Sequence, residues 1–127
     1  MSTDIPDFEI PQRPRREYPR DGGVVFAGQT IFTLSPTPEQ SDTALESLVV
    51  GVLEDDPYTF GDWFDLPMPL FLVYDRETGD VFRVAVRGGA IEFHVLPATE
   101  PEGLRALYQR LDAVSDCAWA VACRLAD

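Results

Sequence analysis

Lysine is missing from this chain of 127 residues: all ten basic residues are arginines, they stand against 22 Asp and Glu, and the formal net charge at pH 7 is −12. Free nucleic acid and anionic membrane both present dense negative charge, which such a surface repels. Neither is expected as a direct partner, and a protein with a basic surface is. The replacement of every lysine by arginine fits a GC-rich coding sequence of bacterial, haloarchaeal or phage type. Acidity also serves solubility in a salty cytoplasm, and composition alone does not separate the two roles.

Histidine is nearly as scarce, with His94 alone, and the two cysteines, Cys117 and Cys123, stand six apart. That spacing is neither a CxxC zinc pair nor a thioredoxin-type motif, and one histidine cannot complete a four-ligand zinc site of Cys and His. Both cysteines are expected as small buried hydrophobes. Glycine-elbow patterns such as GxSxG are absent, and the GlyGly pairs at 22 and 88 lack the GK[ST] or GxxG that would make a phosphate cradle. The carboxylates Asp55, Asp56, Asp62 and Asp65 do not follow the DxDxDG spacing of a calcium loop. A Ser or Cys hydrolase would need His94 as its base, yet His94 falls in mid-strand opposite Arg83, where a cation lowers its proton affinity. No catalytic residue, metal or cofactor is therefore assigned, and a non-enzymatic mode of action is the expectation.

No apolar run approaches the roughly 20 residues of a membrane span, and the start MSTDIPDFEI has neither the basic nor the apolar part of a signal peptide. A soluble, cytoplasmic protein with no membrane partner is expected. The length suits one core. Residues 1–21 hold four prolines and four arginines without hydrophobic period and read as an extended or disordered arm, leaving 22–127 as a single α+β domain.

Within that domain, GGVVFAGQTIFTLS predicts β structure over 24–34, as two short strands or one interrupted by a bulge at Gly28. Thr37, Pro38 and Gln40 predict a capped helix over 38–53, with Leu45, Leu48, Val49 and Val52 as its apolar stripe. A three-strand meander follows over about 70–96. A three-residue loop at 77–79 would set Arg76 opposite Asp80, and a two-residue loop at Gly88 and Gly89 sets Arg87 opposite Ala90. In that register Leu70, Leu72 and Tyr74 share a face with Phe82, Val84, Val86, Ile91, Phe93 and Val95. Phe71, Val73, Arg83, Ala85, Arg87, Glu92, His94 and Leu96 take the other. A second capping box, Thr99 with Glu102, opens a helix over 101–114. The end, CAWAVACRLA, alternates as a strand over 117–125, although its four alanines suit a continued helix as well. The order helix, meander, helix, strand over residues 38–125 is loosely similar to that of bacterial secretion chaperones, which bind extended segments of a partner. The likeness is one of element order and carries no residue roles.

Two surfaces stand out. The connection EDDPYTFGDWFDLPMP at 54–69 combines Asp55, Asp56, Asp62 and Asp65 with the rings of Tyr58, Phe60, Trp63 and Phe64. Long connections without secondary structure are often functional, aromatic rings anchor interfaces, and acids steer a basic partner. This is the expected partner-binding site of an inhibitor, an immunity or phage-type antagonist acting against a host or its defences, a nucleic-acid mimic, or an adaptor or chaperone. The alternative is a small-molecule binder or enzyme built on the mixed sheet face around Arg83, Arg87, Glu92 and His94, and homodimerisation through that face is a further option.

Overall fold

The hairpin signals at 76–79 and 88–89 build the centre of an antiparallel sheet in the computed structural model, which describes residues 7–12, 15–17, 25–27, 29–62 and 70–126, those at 15–17, 25–27, 62 and 126 by backbone alone. In chain order come strands β1 (Arg15–Glu17), β2 (Val25–Ala27) and β3 (Gln29–Thr37), helix α1 (Asp42–Leu53), and strands β4 (Tyr58–Asp62), β5 (Leu70–Asp75), β6 (Asp80–Arg87) and β7 (Ala90–His94). Helix α2 (Pro101–Val114) and strand β8 (Ala118–Ala126) complete the chain. Strands β1 and β2 form a separate ribbon, and the other six make one sheet in the order β4-β5-β6-β7-β3-β8. The architecture is the α+β one expected, and the alternating C-terminal segment is a strand rather than a continued helix.

Both helices lie on one face of the sheet and bury their apolar stripes there. Leu45, Val49, Val52 and Leu53 of α1 and Leu104, Leu107 and Leu111 of α2 meet Phe32, Leu34, Phe71, Val73, Phe82, Val84 and Phe93 in a single core. Removing this apolar area from water is the main stabilising term. Phe8, from the N-terminal arm, joins the same core: its ring meets Phe32 edge-on at 5.1 Å and lies 5.6 Å from Tyr108. Arg105 holds the backbone beside it, donating from Nη1 to the Asp7 carbonyl at 2.9 Å.

Four local expectations are corrected, each for a chemical reason. The β5–β6 turn has four residues, with Asp75 rather than Arg76 opposite Asp80. The Asp75 carboxylate accepts the N–H groups of Glu77 at 2.9 Å and Thr78 at 3.3 Å, so the turn closes on that side chain. Arg76 is drawn out of the ladder, its backbone N–H and Nε both donating to the Pro57 carbonyl, at 3.1 and 2.9 Å. A slip of one residue turns every side chain of a strand over. Phe71 and Val73 consequently face the helices, while Leu70, Leu72 and Tyr74 face outward.

Helix α1 begins at Asp42, capped by the Ser41 side chain, which accepts from the Ala44 N–H at 3.1 Å. Thr37 cannot open the helix because it ends β3, opposite Ala118. The Thr99 box does not form either. The Thr99 hydroxyl donates to the Val81 carbonyl and accepts from the Leu96 N–H, and the first turn of α2 is capped instead by Asp80 of β6. Lastly, the connection at 54–69 is not wholly irregular: Tyr58–Asp62 extends the sheet as edge strand β4, with Thr59 opposite Tyr74 and Gly61 opposite Leu72.

Candidate functional site

The sheet face turned away from the helices gathers the polar side chains that the sequence set on one side of the meander. The two-residue β6–β7 turn forms as expected, with Gly88 and Gly89 at φ +62° and +74°, a conformation open to glycine, and it sets Arg87 opposite Ala90 and Arg83 opposite His94. On the other side of β7 lies β3, where Thr33 faces Glu92 and Ile31 faces both His94 and Arg124 of β8. Arg83, Arg87, Glu92 and His94 are thus brought together, and Arg124 joins them.

Glu92 is the centre of this cluster. It is only 6% exposed, and both its oxygens are used. Oε2 accepts from Arg87 Nε at 3.0 Å and lies 3.5 Å from Arg124 Nη2, while Oε1 accepts from His94 Nε2 at 2.9 Å. Burial alone would push the carboxyl upward, but the hydrogen bonds from His94 and Arg87, with the Arg87 charge, hold it below its ordinary range. For His94, burial is the largest influence and drives the imidazole pKa down. Glu92 opposes that shift, Arg87 and Arg83 reinforce it, and the net direction is downward. A neutral imidazole beside an ionised carboxylate donates its Nε2 proton to it. That nitrogen is therefore committed. Cys123 does not complete a nucleophile–base pair with it, because it lies opposite Phe32 on the helix side of the sheet while His94 is on the outer side. Cys123 is also exposed rather than buried, and Cys117 is half-buried, a correction to their expected core positions.

The acidic and aromatic connection is divided by the fold. Asp55 and Asp56 stand exposed in the turn after α1, with Asp56 paired to Arg76. Tyr58 is a core residue, not a free anchor. The Arg110 guanidinium covers its ring at 5.4 Å, and burial pushes its phenol up to about 12. Phe60 is half-buried and packs edge-on against Phe71 at 5.9 Å. Asp62 ends β4, and Trp63, Phe64 and Asp65 lie outside the described residues.

The outward turn of β5 creates a surface that the sequence reading missed. Leu72 is 38% exposed and Tyr74 is 46% exposed. Their β4 neighbours are Gly61 and Thr59, too small to cover them, and their β6 neighbours are Arg83 and Val81. The only sequence signal for this strip was the Asp75 turn, which decides the register of the whole strand. Among the described residues no group of three or more His, Cys, Asp or Glu could hold a metal ion, and no helix is long and apolar enough to cross a membrane. Comparison with protein-family models, with curated proteins and with solved structures yields no match to this chain.

Proposed function

We propose that the chain acts by binding a protein with a basic surface, without catalysing a reaction, and that the contact is made at the β4–β5 end of the sheet. The observation that carries this reading is the exposed strip of Leu72 and Tyr74 on the outer face of β5, beside the edge strand that leads in sequence to Trp63 and Phe64. Tyrosine and tryptophan supply rigid contact area at low entropic cost and are frequent hot spots. Asp55 and Asp56, exposed near the far end of β4, would steer a basic partner toward them. Inhibitor, antagonist, adaptor and chaperone activity all use such a surface, and nucleic-acid mimicry is the variant in which the acids take the place of phosphates.

The test is affinity capture from extracts of the source cells, comparing the wild type with Leu72→Ser/Tyr74→Ala and Trp63→Ala/Phe64→Ala, each first shown to unfold at the wild-type temperature. Loss of a hot-spot ring costs at least about 2 kcal/mol, or roughly thirtyfold in affinity. A partner retained equally by both double variants would remove this surface from consideration. Displacement of that partner by DNA, with capture falling steeply as salt rises, would select mimicry.

A second reading puts a small anionic ligand on the outer face at Arg87 and Arg124. Each has a side chain 48% exposed while it still reaches Glu92. Carboxylates and phosphates added to the protein would then move the His94 imidazole resonances, and unmoved resonances would count against this site.

A further inference from the structure

Strand β8 is an edge of the six-stranded sheet and, among the described residues, pairs with β3 alone. An open edge presents a row of backbone N–H and C=O groups, and proteins usually blunt it with lysine, proline, a bulge or a short length. Strand β8 has none of these: it runs nine residues, AWAVACRLA, with one charge and no proline. Its faces are bare as well. Ala118, Ala120, Ala122 and Arg124 are exposed on the outer side, and on the helix side Trp119 and Val121 are only half-buried while Leu125 is 56% exposed.

Residues 116–124 read DCAWAVACR, an inverted chemical repeat about Ala120. Cys117 mirrors Cys123, Ala118 mirrors Ala122, the apolar Trp119 mirrors Val121, and Asp116 mirrors Arg124 with the opposite charge. A two-fold contact sets each residue against its mirror, so this segment complements itself when two copies run antiparallel. Centring the contact one residue later, on Val121, would set Arg124 against Ala118 and leave both charges unmatched. Long-range electrostatics favour the same place. Neither β3 nor β8 contains a carboxylate, in a chain that has 22, so this half of the sheet is where two molecules of charge −12 meet least repulsion.

We propose that the chain is a homodimer in which β8 pairs antiparallel with β8 of a second copy about Ala120, continuing the sheet across the two-fold axis. The outer faces of the two copies then lie on the same side. Each Arg124, already 3.5 Å from Glu92, meets Asp116 of the partner subunit, which adds a carboxylate to the cluster. On the helix side Cys117 faces Cys123 of the partner subunit, twice per dimer. Cys117 lies in the bend one residue before β8, so this contact continues the two-fold pairing just past the strand. Directly opposed Cβ atoms in a ladder are about 4.5–5.5 Å apart, and the bend supplies the last step to the roughly 3.8 Å of a disulfide. Within one chain the backbone from Ala118 to Cys123 alone is extended over roughly 17 Å, which keeps Cys117 out of reach of Cys123, so any disulfide joining them joins two molecules.

The test uses the full chain. Light scattering should give about twice the 14.2 kDa chain mass. Oxidation with copper phenanthroline, which takes two electrons and two protons from each thiol pair, should give a covalent dimer on a non-reducing gel. Cys117→Ser and Cys123→Ser should each abolish that product, because every link uses one of each cysteine. Asp116→Arg, at an exposed position, turns both end attractions into repulsions and should weaken the dimer by about tenfold or more. A single-chain mass, a dimer that oxidation does not link, or a link that survives either serine variant would each overturn the proposal. This edge lies at the opposite end of the sheet from β4, so failure here leaves the partner-binding reading untouched.

Discussion

Replacement of Asp80 by alanine should destabilise the protein more than any other exchange of a polar side chain near its hairpins. Asp80 is 3% exposed, and its carboxylate accepts three backbone N–H groups: Val81 at 2.9 Å and Glu100 at 2.8 Å on Oδ1, and Gly103 at 3.0 Å on Oδ2. The last two belong to the start of α2, which its own N-cap, Glu100, does not cap with its side chain. Losing an N-cap oxygen costs about 1 kcal/mol, and leaving the buried Gly103 N–H without an acceptor costs about 1–3 kcal/mol more. Burial offsets part of this, because it raises the Asp80 carboxyl above its ordinary value, against the lowering effect of the three backbone hydrogen bonds. A net loss of about 2–3 kcal/mol remains, which for a domain of this size lowers Tm by roughly 10 °C.

Gly103 gives the sharper test, since it predicts a sign. Alanine in place of glycine within a helix normally gains about 1 kcal/mol. Here a Cβ at position 103 would run into Asp80 Oδ2 and Asp80 Cβ, so Gly103→Ala should be destabilising. The raised Asp80 pKa also fixes a direction with pH. Its contribution is fully present below the unfolded value of 3.8 and is lost as pH rises through the folded value, so the gap between wild type and Asp80→Ala should widen toward acid. Thermal and urea unfolding followed by circular dichroism measures all three. An Asp80→Ala protein melting within about 2 °C of wild type, or a Gly103→Ala protein more stable than wild type, would refute this account of how α2 is held.

The β5 register is tested by a pair of truncations. Phe71→Ala should cost about 3–5 kcal/mol and Leu72→Ala less than about 1 kcal/mol, read from urea midpoints, and the reverse order would restore the three-residue loop. Because His94 is the only histidine, its imidazole titration can be followed directly by NMR, and its midpoint should fall below 6.5. Glu92→Gln should cost about 2 kcal/mol at pH 7, the value of hydrogen bonds to a charged group. The Glu92 pKa is lowered, so that deficit holds above 4.5 and closes as pH falls through the folded value. Equal stability at pH 7 would show that the cluster contributes nothing. In an alkaline spectroscopic titration of the four tyrosines, Tyr58→Phe should remove a component ionising at about 12.

What the sequence disclosed follows how local its causes are. Gly88 and Gly89 sit where only a two-residue turn fits, and the pairing of Arg83 with His94 could be read from them alone. The span of α2 and the alternation of β8 were equally visible, because each repeats a period over many residues. The register of β5 was not, since it depends on a side chain, Asp75, that closes its own turn, and on Arg76 bonding Pro57, nineteen residues earlier. Phe8 gave no signal, because one ring in a proline-rich arm has no period, although the core takes it in. Arg124 had the right parity, but its nearness to Glu92 requires β3 to lie between β7 and β8, a long-range order that no local pattern encodes.

The uneven charge of the sheet links the two proposed surfaces. Glu54, Asp55 and Asp56 precede β4 and Asp62 ends it, whereas β3 and β8 carry no carboxylate. Joining two copies through β8 therefore places their acidic ends as far apart as the sheet allows. With neighbouring strands about 4.8 Å apart, the eleven intervals from one β4 to the other span roughly 50 Å before twist shortens them. Both outer faces point the same way, so the dimer would present two Leu72 and Tyr74 strips to one large or densely arrayed partner. Bivalent contact multiplies apparent affinity by about 10²–10⁴ where geometry permits both sites to engage. Asp116→Arg should accordingly slow capture loss from a densely coated surface far less well than wild type does, that is, dissociation should quicken, while affinity for a single partner in free solution stays unchanged. Equal dissociation of the two proteins from the dense surface would show that the ends act alone.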